Sequence, residues 1–231
     1  MKYGWEGELP VPGIRTVNDM RTVLADPGCQ KDAPLYYMYR DLALSGEDRR
    51  ILAAHRLRYD MTVIPSFDLC GEFVKTKGHY HPQDPAGTGY PELYEVIDGE
   101  AQFLLQSHDL ADIVLVSAGA GDCVIIPPGY GHVSINPSKS RVLVMANIVS
   151  TVFESEYREY EMLHGAAYYV LTDGKRVKNP YYPDVPEIRV VEESQKPITG
   201  PIYPLIHRPE MLRFLNEPEK YADIFTGLLE G

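Results

Sequence analysis

The chain has 231 residues, of which 44% are hydrophobic, and its 22 Lys and Arg against 33 Asp and Glu give a formal charge of −11. This composition suits one globular domain with a single core and excludes a disordered chain, and the acidic balance argues against nucleic acid as a partner. An anionic small substrate would also be repelled unless its site supplied local positive charge.

Taken in chain order, the opening MKYGWEGELPVPG is loop-like and has no apolar signal core, so no secretory leader is expected. Val17–Leu24 reads as a short helix with Met20, Val23 and Leu24 on one face and Asn18 as its cap. Residues 45–56 read as a second, with Ser45 and Asp48 spaced as a capping box. From residue 58 the texture changes to short β-rich runs punctuated by Gly, Pro and Asp: RYDMTVIP, EFVKTKGHYH, ELYEVIDG, AQFLLQ, DIVLV, DCVIIPPG, HVSIN and RVLVMANIV. That spacing predicts a β-sandwich or barrel. Asp98-Gly99 reads as the turn of a hairpin between ELYEVI and EAQFLLQ.

Beyond Val149 the pattern loosens. Residues 156–165 are expected to be helical, and a late hairpin is expected around Asp173-Gly174. The proline-rich stretch 178–204 should wrap as irregular chain, and 209–229 should form terminal helix, opened by Pro209 and broken in two at Pro218. The whole reads as one domain: an N-terminal arm (1–57), a barrel core (58–174) and a C-terminal extension (175–231). No apolar run approaches the roughly 20 residues of a bilayer span, so no membrane association is expected. Cys29, Cys70 and Cys123 are odd in number, widely spaced and outside any CxxC, which predicts free thiols in a reducing cytoplasm.

In GHYH, His79 and His81 stand two apart on a predicted strand, so both imidazoles face one side and can chelate one ion if further ligands arrive from elsewhere. Taken alone, the pair fits two surface histidines near each other by chance better than a metal site. Its surroundings resemble the two-part cupin signature. Glu92 is followed by LYEVID and Gly99; Gly121 is followed by DCVII, Pro127, Gly129, His132 and Asn136 at the signature's spacing. The resemblance implies a jelly-roll barrel (double-stranded β-helix) with His79, His81, Glu92 and His132 as ligands. Glu95 competes for the carboxylate position, but three residues on along a strand it faces the other way and reads as a solvated residue. One departure is the ten-residue loop PQDPAGTGYP between His81 and Glu92, longer than in common cupins. Three imidazoles and a carboxylate suit Fe(II), Mn(II), Ni(II) or Zn(II) rather than Ca or Mg; a six-coordinate ion keeps positions open where tetrahedral zinc keeps none, which favours iron, manganese or nickel, with iron taken first. His55, His108, His164 and His207 read as surface or structural.

Four strings, RYDMTVIP, EFVKTKGHYHP, PELYEVIDGEAQFLLQ and IIPPGYGHVSIN, narrow the resemblance to the archaeal-type, cupin-fold glucose-6-phosphate isomerases. That family implies aldose–ketose interconversion of glucose 6-phosphate and fructose 6-phosphate, substrate contacts at Thr62, Thr76 and Gly78, a catalytic contribution from Glu92 and Tyr94, and a homodimer. Strict alternation would put Lys75 and Lys77 on the histidine face and Thr76 on the other; a bulge at Gly78 would reverse this. Thr62 fits an ordinary strand residue equally well, and Tyr94 a core aromatic. Glu92 is either the base of an enediol route or purely a ligand in a hydride shift. The family's post-barrel histidine has no counterpart in NIVSTVFESEYREYE, where Tyr157 stands nearest. An isomerase of another sugar phosphate, such as mannose 6-phosphate, and a non-catalytic sugar-binding cupin are the competing readings.

Overall fold

The computed structural model describes residues 2–191 and 198–230. It is mostly β, a jelly-roll of two facing sheets with short helices at the periphery. Strands β1 (Gly13–Thr16), β2 (Pro34–Tyr39), β3 (Leu57–Ile64), β6 (Glu92–Asp98), β9 (Cys123–Ile126) and β11 (Leu143–Ser150) form a six-stranded sheet in the order β1-β2-β3-β11-β6-β9. Strands β7 (Glu100–Ser107), β8 (Ile113–Gly119), β10 (Tyr130–Ile135) and β14 (Arg189–Val191) form a second in the order β10-β7-β8-β14. Two small ribbons complete the set: β4 (Asp68–Leu69) with β5 (Glu72–Phe73), and β12 (Tyr168–Val170) with β13 (Arg176–Lys178). The late hairpin around Asp173-Gly174 is the β12–β13 pair.

The Asp98-Gly99 hairpin does not form. Gly99 adopts φ +88, and a Cβ there would lie 2.6 Å from the Val142 carbonyl, so the tight turn is real. However, β6 pairs with β11 and β9, while β7 pairs with β10 and β8. The chain uses the turn to change sheets, because the core between the sheets rewards burying both strands more than pairing them with each other.

The peripheral elements differ from expectation in register more than in kind. Helix α1 (Val17–Met20) is capped by Thr16, which exchanges a full capping box with Asp19; Asn18 instead accepts from Arg21 Nε. Helix α2 (Gly46–Ala54) is capped by Ser45 as predicted, but the Asp48 carboxylate is taken by the Tyr203 hydroxyl. Helix α3 (Arg158–Met162) falls within the predicted 156–165.

The C-terminal region departs further. Part of 178–204 is ordered as β14, which runs parallel to β8; residues 192–197 of that stretch lie outside the described residues. The expected terminal helix is a series of 3-10 turns, Tyr203–His207, Pro209–Leu215 and Pro218–Lys220, before a single turn of α4 (Ala222–Phe225). Prolines placed every few residues remove the donors a continuous i→i−4 ladder needs. These turns bury Ile202, Leu212, Phe214 and Leu215.

Cys29 and Cys70 form a disulfide, correcting the expectation of free thiols; Cys123 is the buried thiol. The pair is 41 residues apart in sequence and is brought together where the loop after α1 meets the β4–β5 turn, a juxtaposition that cysteine spacing does not reveal. Among the described residues no helix is long and apolar enough to cross a membrane.

Candidate metal centre

The four predicted ligands meet between the two sheets. His132 lies on β10, Glu92 opens β6, and His79 and His81 lie on a segment running along the edge of β10, with His79 bridged to His132. His81, Glu92 and His132 are buried, while His79 is partly open to a cavity. Nε2 of His79 lies 3.2 Å from Nε2 of His81. The Oε2 atom of Glu92 lies 3.4 Å from Nε2 of His81 and 3.3 Å from Nε2 of His132. Adjacent ligands of one ion bound at about 2.1 Å stand about 3.0–3.4 Å apart, depending on coordination number.

The donors are also prepared chemically. His81 Nδ1 lies 2.9 Å from the Tyr90 carbonyl, which can only accept. Nδ1 therefore carries the proton and Nε2 turns its lone pair toward the centre. Tyr90 belongs to the long loop after His81, so the excursion that departs from the common pattern holds this ligand. Its ring stacks on Phe153, whose ring in turn packs on His81. Asn147 of β11 donates to Glu92 Oε1 at 2.6 Å. That leaves Oε2 buried with no hydrogen bond although it faces two imidazoles. A buried, unsatisfied carboxylate oxygen is costly, and a cation between it and the Nε2 atoms of His81 and His132 beside it would satisfy it. The donor set thus fits a divalent transition metal.

The electrostatics agree. Burial, reinforced by His132 and His81, drives His79 well below its ordinary pKa. Burial likewise pushes His81 down to about 4, against the pull of Glu92. Burial would raise Glu92, but contact with His132 and the charges of His81, His132 and Arg40 outweigh it, so its carboxyl lies below its ordinary value. Neutral imidazoles and an ionised carboxylate are the forms that ligate.

The remaining predicted residues divide. Tyr94, two residues after Glu92 on the same face, is buried with its hydroxyl 3.1 Å from His132 Nε2; burial first, then the Glu92 charge, raises that hydroxyl well above its ordinary pKa. Thr62 and Thr76 line the cavity with His79, His81, Glu92 and Tyr94. The register shows how Thr76 arrives there. Lys75 bridges Ile135 and His79 bridges His132, four residues on one side against three on the other, so one residue bulges between them. Gly78 is within that bulge, and the space a side chain would need is filled: a Cβ there would lie 2.1 Å from the Tyr160 ring and 2.7 Å from Val133. The same bulge takes Lys75 away. It is buried, paired with Glu72 and placed over the Tyr169 ring, and so leaves the histidine face on which strict alternation would put it. Lys77 remains at the cavity beside Tyr157 and pairs with Glu161. Glu95 does face away from the ligands, but it is not solvated: it accepts the Ile202 N–H at 2.9 Å.

Sequence reading missed Asn147, Tyr36, Arg40, Arg58 and Asp60. Arg58 and Asp60 precede Thr62 by four and two on β3, so the alternation that selects Thr62 selects them as well. Tyr36 on β2, Arg40 just beyond it and Asn147 on β11 carried no comparable signal.

A family model described as Glucose-6-phosphate isomerase (GPI) matches residues 14–187, about three quarters of the chain. The chain belongs to this family. A search of the curated proteins gives no match. Similar solved structures include a mutant of Bacillus subtilis oxalate decarboxylase OxdC, 18% identical over 49% of this chain and 24% of that one, with a TM-score of 0.34. The Solanum melongena vicilin is 16% identical over 55% of this chain and 32% of that one, with a TM-score of 0.40. The polyketide cyclase RemF from Streptomyces resistomycificus is 12% identical over 62% of this chain and 79% of that one, with a TM-score of 0.37. The isomerase-family chain thus spans about a quarter of the oxalate decarboxylase and about a third of the vicilin. In this member of the GPI family, the residues that meet in the cavity come from β2, β3, β6, β11, the bulged segment through His79 and His81, and the stretch after β11.

Proposed function

We propose that this chain is a metal-dependent aldose–ketose isomerase that interconverts glucose 6-phosphate and fructose 6-phosphate. The observation that carries the reading is the run of donor atoms His79–His81–Glu92–His132, each within 3.4 Å of the next, beside a cavity in a chain of the GPI family. A divalent ion held by these four residues, iron first among the candidates, supplies Lewis-acid polarisation of neighbouring sugar oxygens. The rest of the chemistry belongs to the chain.

Asn147 fixes the Glu92 carboxylate through Oε1 and thereby sets the direction of Oε2, which holds the ion and would have to loosen from it to move a proton between the first two sugar carbons. The Tyr94 hydroxyl stands beside His132 Nε2 at the cavity wall, placed to donate to a sugar oxygen. Thr62, Thr76 and Lys77 line the same cavity and give polar and positive partners for a phosphate. In an acidic protein this local positive charge is what an anionic sugar needs. If Glu92 serves as base the hydrogen at C2 exchanges with solvent; if Glu92 is only a ligand, hydride passes directly and is retained. Sugar phosphates of this kind place the reaction in the cytoplasm, where the Cys29–Cys70 bond would be open to reduction.

The test is an isomerase assay on purified protein with and without a chelator, with glucose 6-phosphate, fructose 6-phosphate and mannose 6-phosphate as substrates. Interconversion of the first two, lost with EDTA and restored with Fe(II) or Mn(II), is expected. Turnover of mannose 6-phosphate alone would reassign the substrate, and saturable sugar-phosphate binding with no turnover in any metal would refute the enzyme.

A further inference from the structure

The cavity contains a charge arrangement that the reading above does not use. On adjacent strands, Arg40 just beyond β2 and Arg58 on β3 both reach the carboxylate of Asp60. Arg58 Nε donates to both Asp60 oxygens, at 2.9 and 2.8 Å. Asp60 Oδ1 also accepts the Asp41 N–H at 2.9 Å, and Oδ2 accepts Arg40 Nη1 at 2.8 Å. Asp60 is buried, with 2% of its side chain exposed, so this geometry is fixed. Two guanidinium groups against one carboxylate leave one net positive charge. Arg58 shares one N–H between the two Asp60 oxygens and Arg40 gives Nη1 to Oδ2, so Asp60 does not engage Nη2 of Arg40.

Arg40 is also turned the right way. Its Nη2 is directed back at the Met38 thioether, 3.3 Å away, and Met38 is the cross-strand partner of Thr62. A thioether is a weak acceptor, so this N–H is held in position at little cost to whatever displaces it. The guanidinium lines the cavity that Thr62 lines too, with Lys77, His79, His81 and Glu92. A planar fork with one arm anchored on a buried carboxylate and the other nearly unspent is an anion receptor awaiting its anion.

We propose that Arg40, positioned by Asp60 and Arg58, is a specificity-determining substrate contact that binds the phosphate of the sugar phosphate together with Thr62. The assignment rests on the sugar-phosphate reading of this cavity but is separable from it. A charge-assisted hydrogen bond of this type is worth about ten- to a hundredfold in affinity.

The experiment compares wild-type, Arg40→Gln and Arg40→Lys protein by two readouts: isomerase kinetics, and binding of inorganic phosphate to the metal-loaded protein by calorimetry. In Arg40→Gln, KM for glucose 6-phosphate should rise about ten- to a hundredfold with a smaller change in kcat, inorganic phosphate affinity should fall by a similar factor, and any turnover of unphosphorylated glucose should be unchanged. Arg40→Lys, which keeps the charge but not the fork, should fall between; if Arg40→Gln does not fold, a several-fold loss in Arg40→Lys carries the test. Unchanged KM and unchanged phosphate binding would overturn the proposal while leaving the isomerase intact. Arg40-dependent phosphate binding in a protein without isomerase activity would sink the reaction and keep the anion site.

Discussion

The two faces of the six-stranded sheet contrast sharply, although the same strands build both. On the inner face, β3, β6 and β11 present Arg58, Asp60, Thr62, Glu92, Tyr94 and Asn147. On the outer face, β3 presents Tyr59, which stacks on Trp5 of the N-terminal arm and meets Tyr203 of the C-terminal extension edge-on. Glu95, on the outer face of β6, binds Ile202 N–H of that same extension. The inner face leaves atoms of the ligand residues buried without partners, Glu92 Oε2 and the Nδ1 atoms of His79 and His132, whereas on the outer face the Glu95 carboxylate is paired and Trp5 Nε1 is left without a partner among apolar contacts. The lesson is one of division of labour. Stability is concentrated where the extension packs, which lets the inner face hold a costly cluster of imidazoles and a carboxylate.

Substitutions on opposite faces should therefore fail in different ways. His132→Ala, on the inner side, should cut bound metal to under about a tenth and activity by about 10²–10⁴-fold, with little loss of folding stability; metal analysis, kinetics and denaturation together check this. Phe214→Ala, under the outer face, should cost about 3–5 kcal/mol in chemical denaturation while the folded fraction keeps its metal. Asn147→Ala removes the hydrogen bond that orients Glu92 and should weaken metal affinity about 10–100-fold in a chelator competition, leaving the fold intact.

The smallest effect concerns Glu95. Its carboxyl is raised above the ordinary range, first by burial, with the Ile202 N–H pulling the other way. A raised folded value means that stability is lost as pH rises through it. Glu95→Gln, which keeps an acceptor and drops the charge, should flatten that part of the stability profile without touching catalysis. Equal sensitivity of metal content to Phe214→Ala and His132→Ala would break the contrast between the faces.

The same contrast explains what the sequence makes legible. His79, His81, Glu92 and His132 were readable because strand alternation and motif spacing act within short segments. The bulge before His79 was readable only as a condition on Gly78, and its outcome depended on Tyr160 and Val133 packing against that glycine. Asp98-Gly99 shows the limit on strand pairing: a turn fixes where the chain bends, and the core decides which strands then pair. Glu95, Lys75 and the Cys29–Cys70 bond each take their partner from a distant or bulged segment, beyond what local pattern reports. Arg58 and Asp60 were within reach of the alternation and stood beside the residue it had already selected.

Anomalous X-ray scattering from crystals of metal-loaded protein tests the central claim most directly. The account predicts a single peak per chain within about 2.0–2.3 Å of Nε2 of His79, His81 and His132 and of Glu92 Oε2. A saturated crystal with no peak there, or with Glu92 still bonded only to Asn147 and the ion held elsewhere, would contradict it.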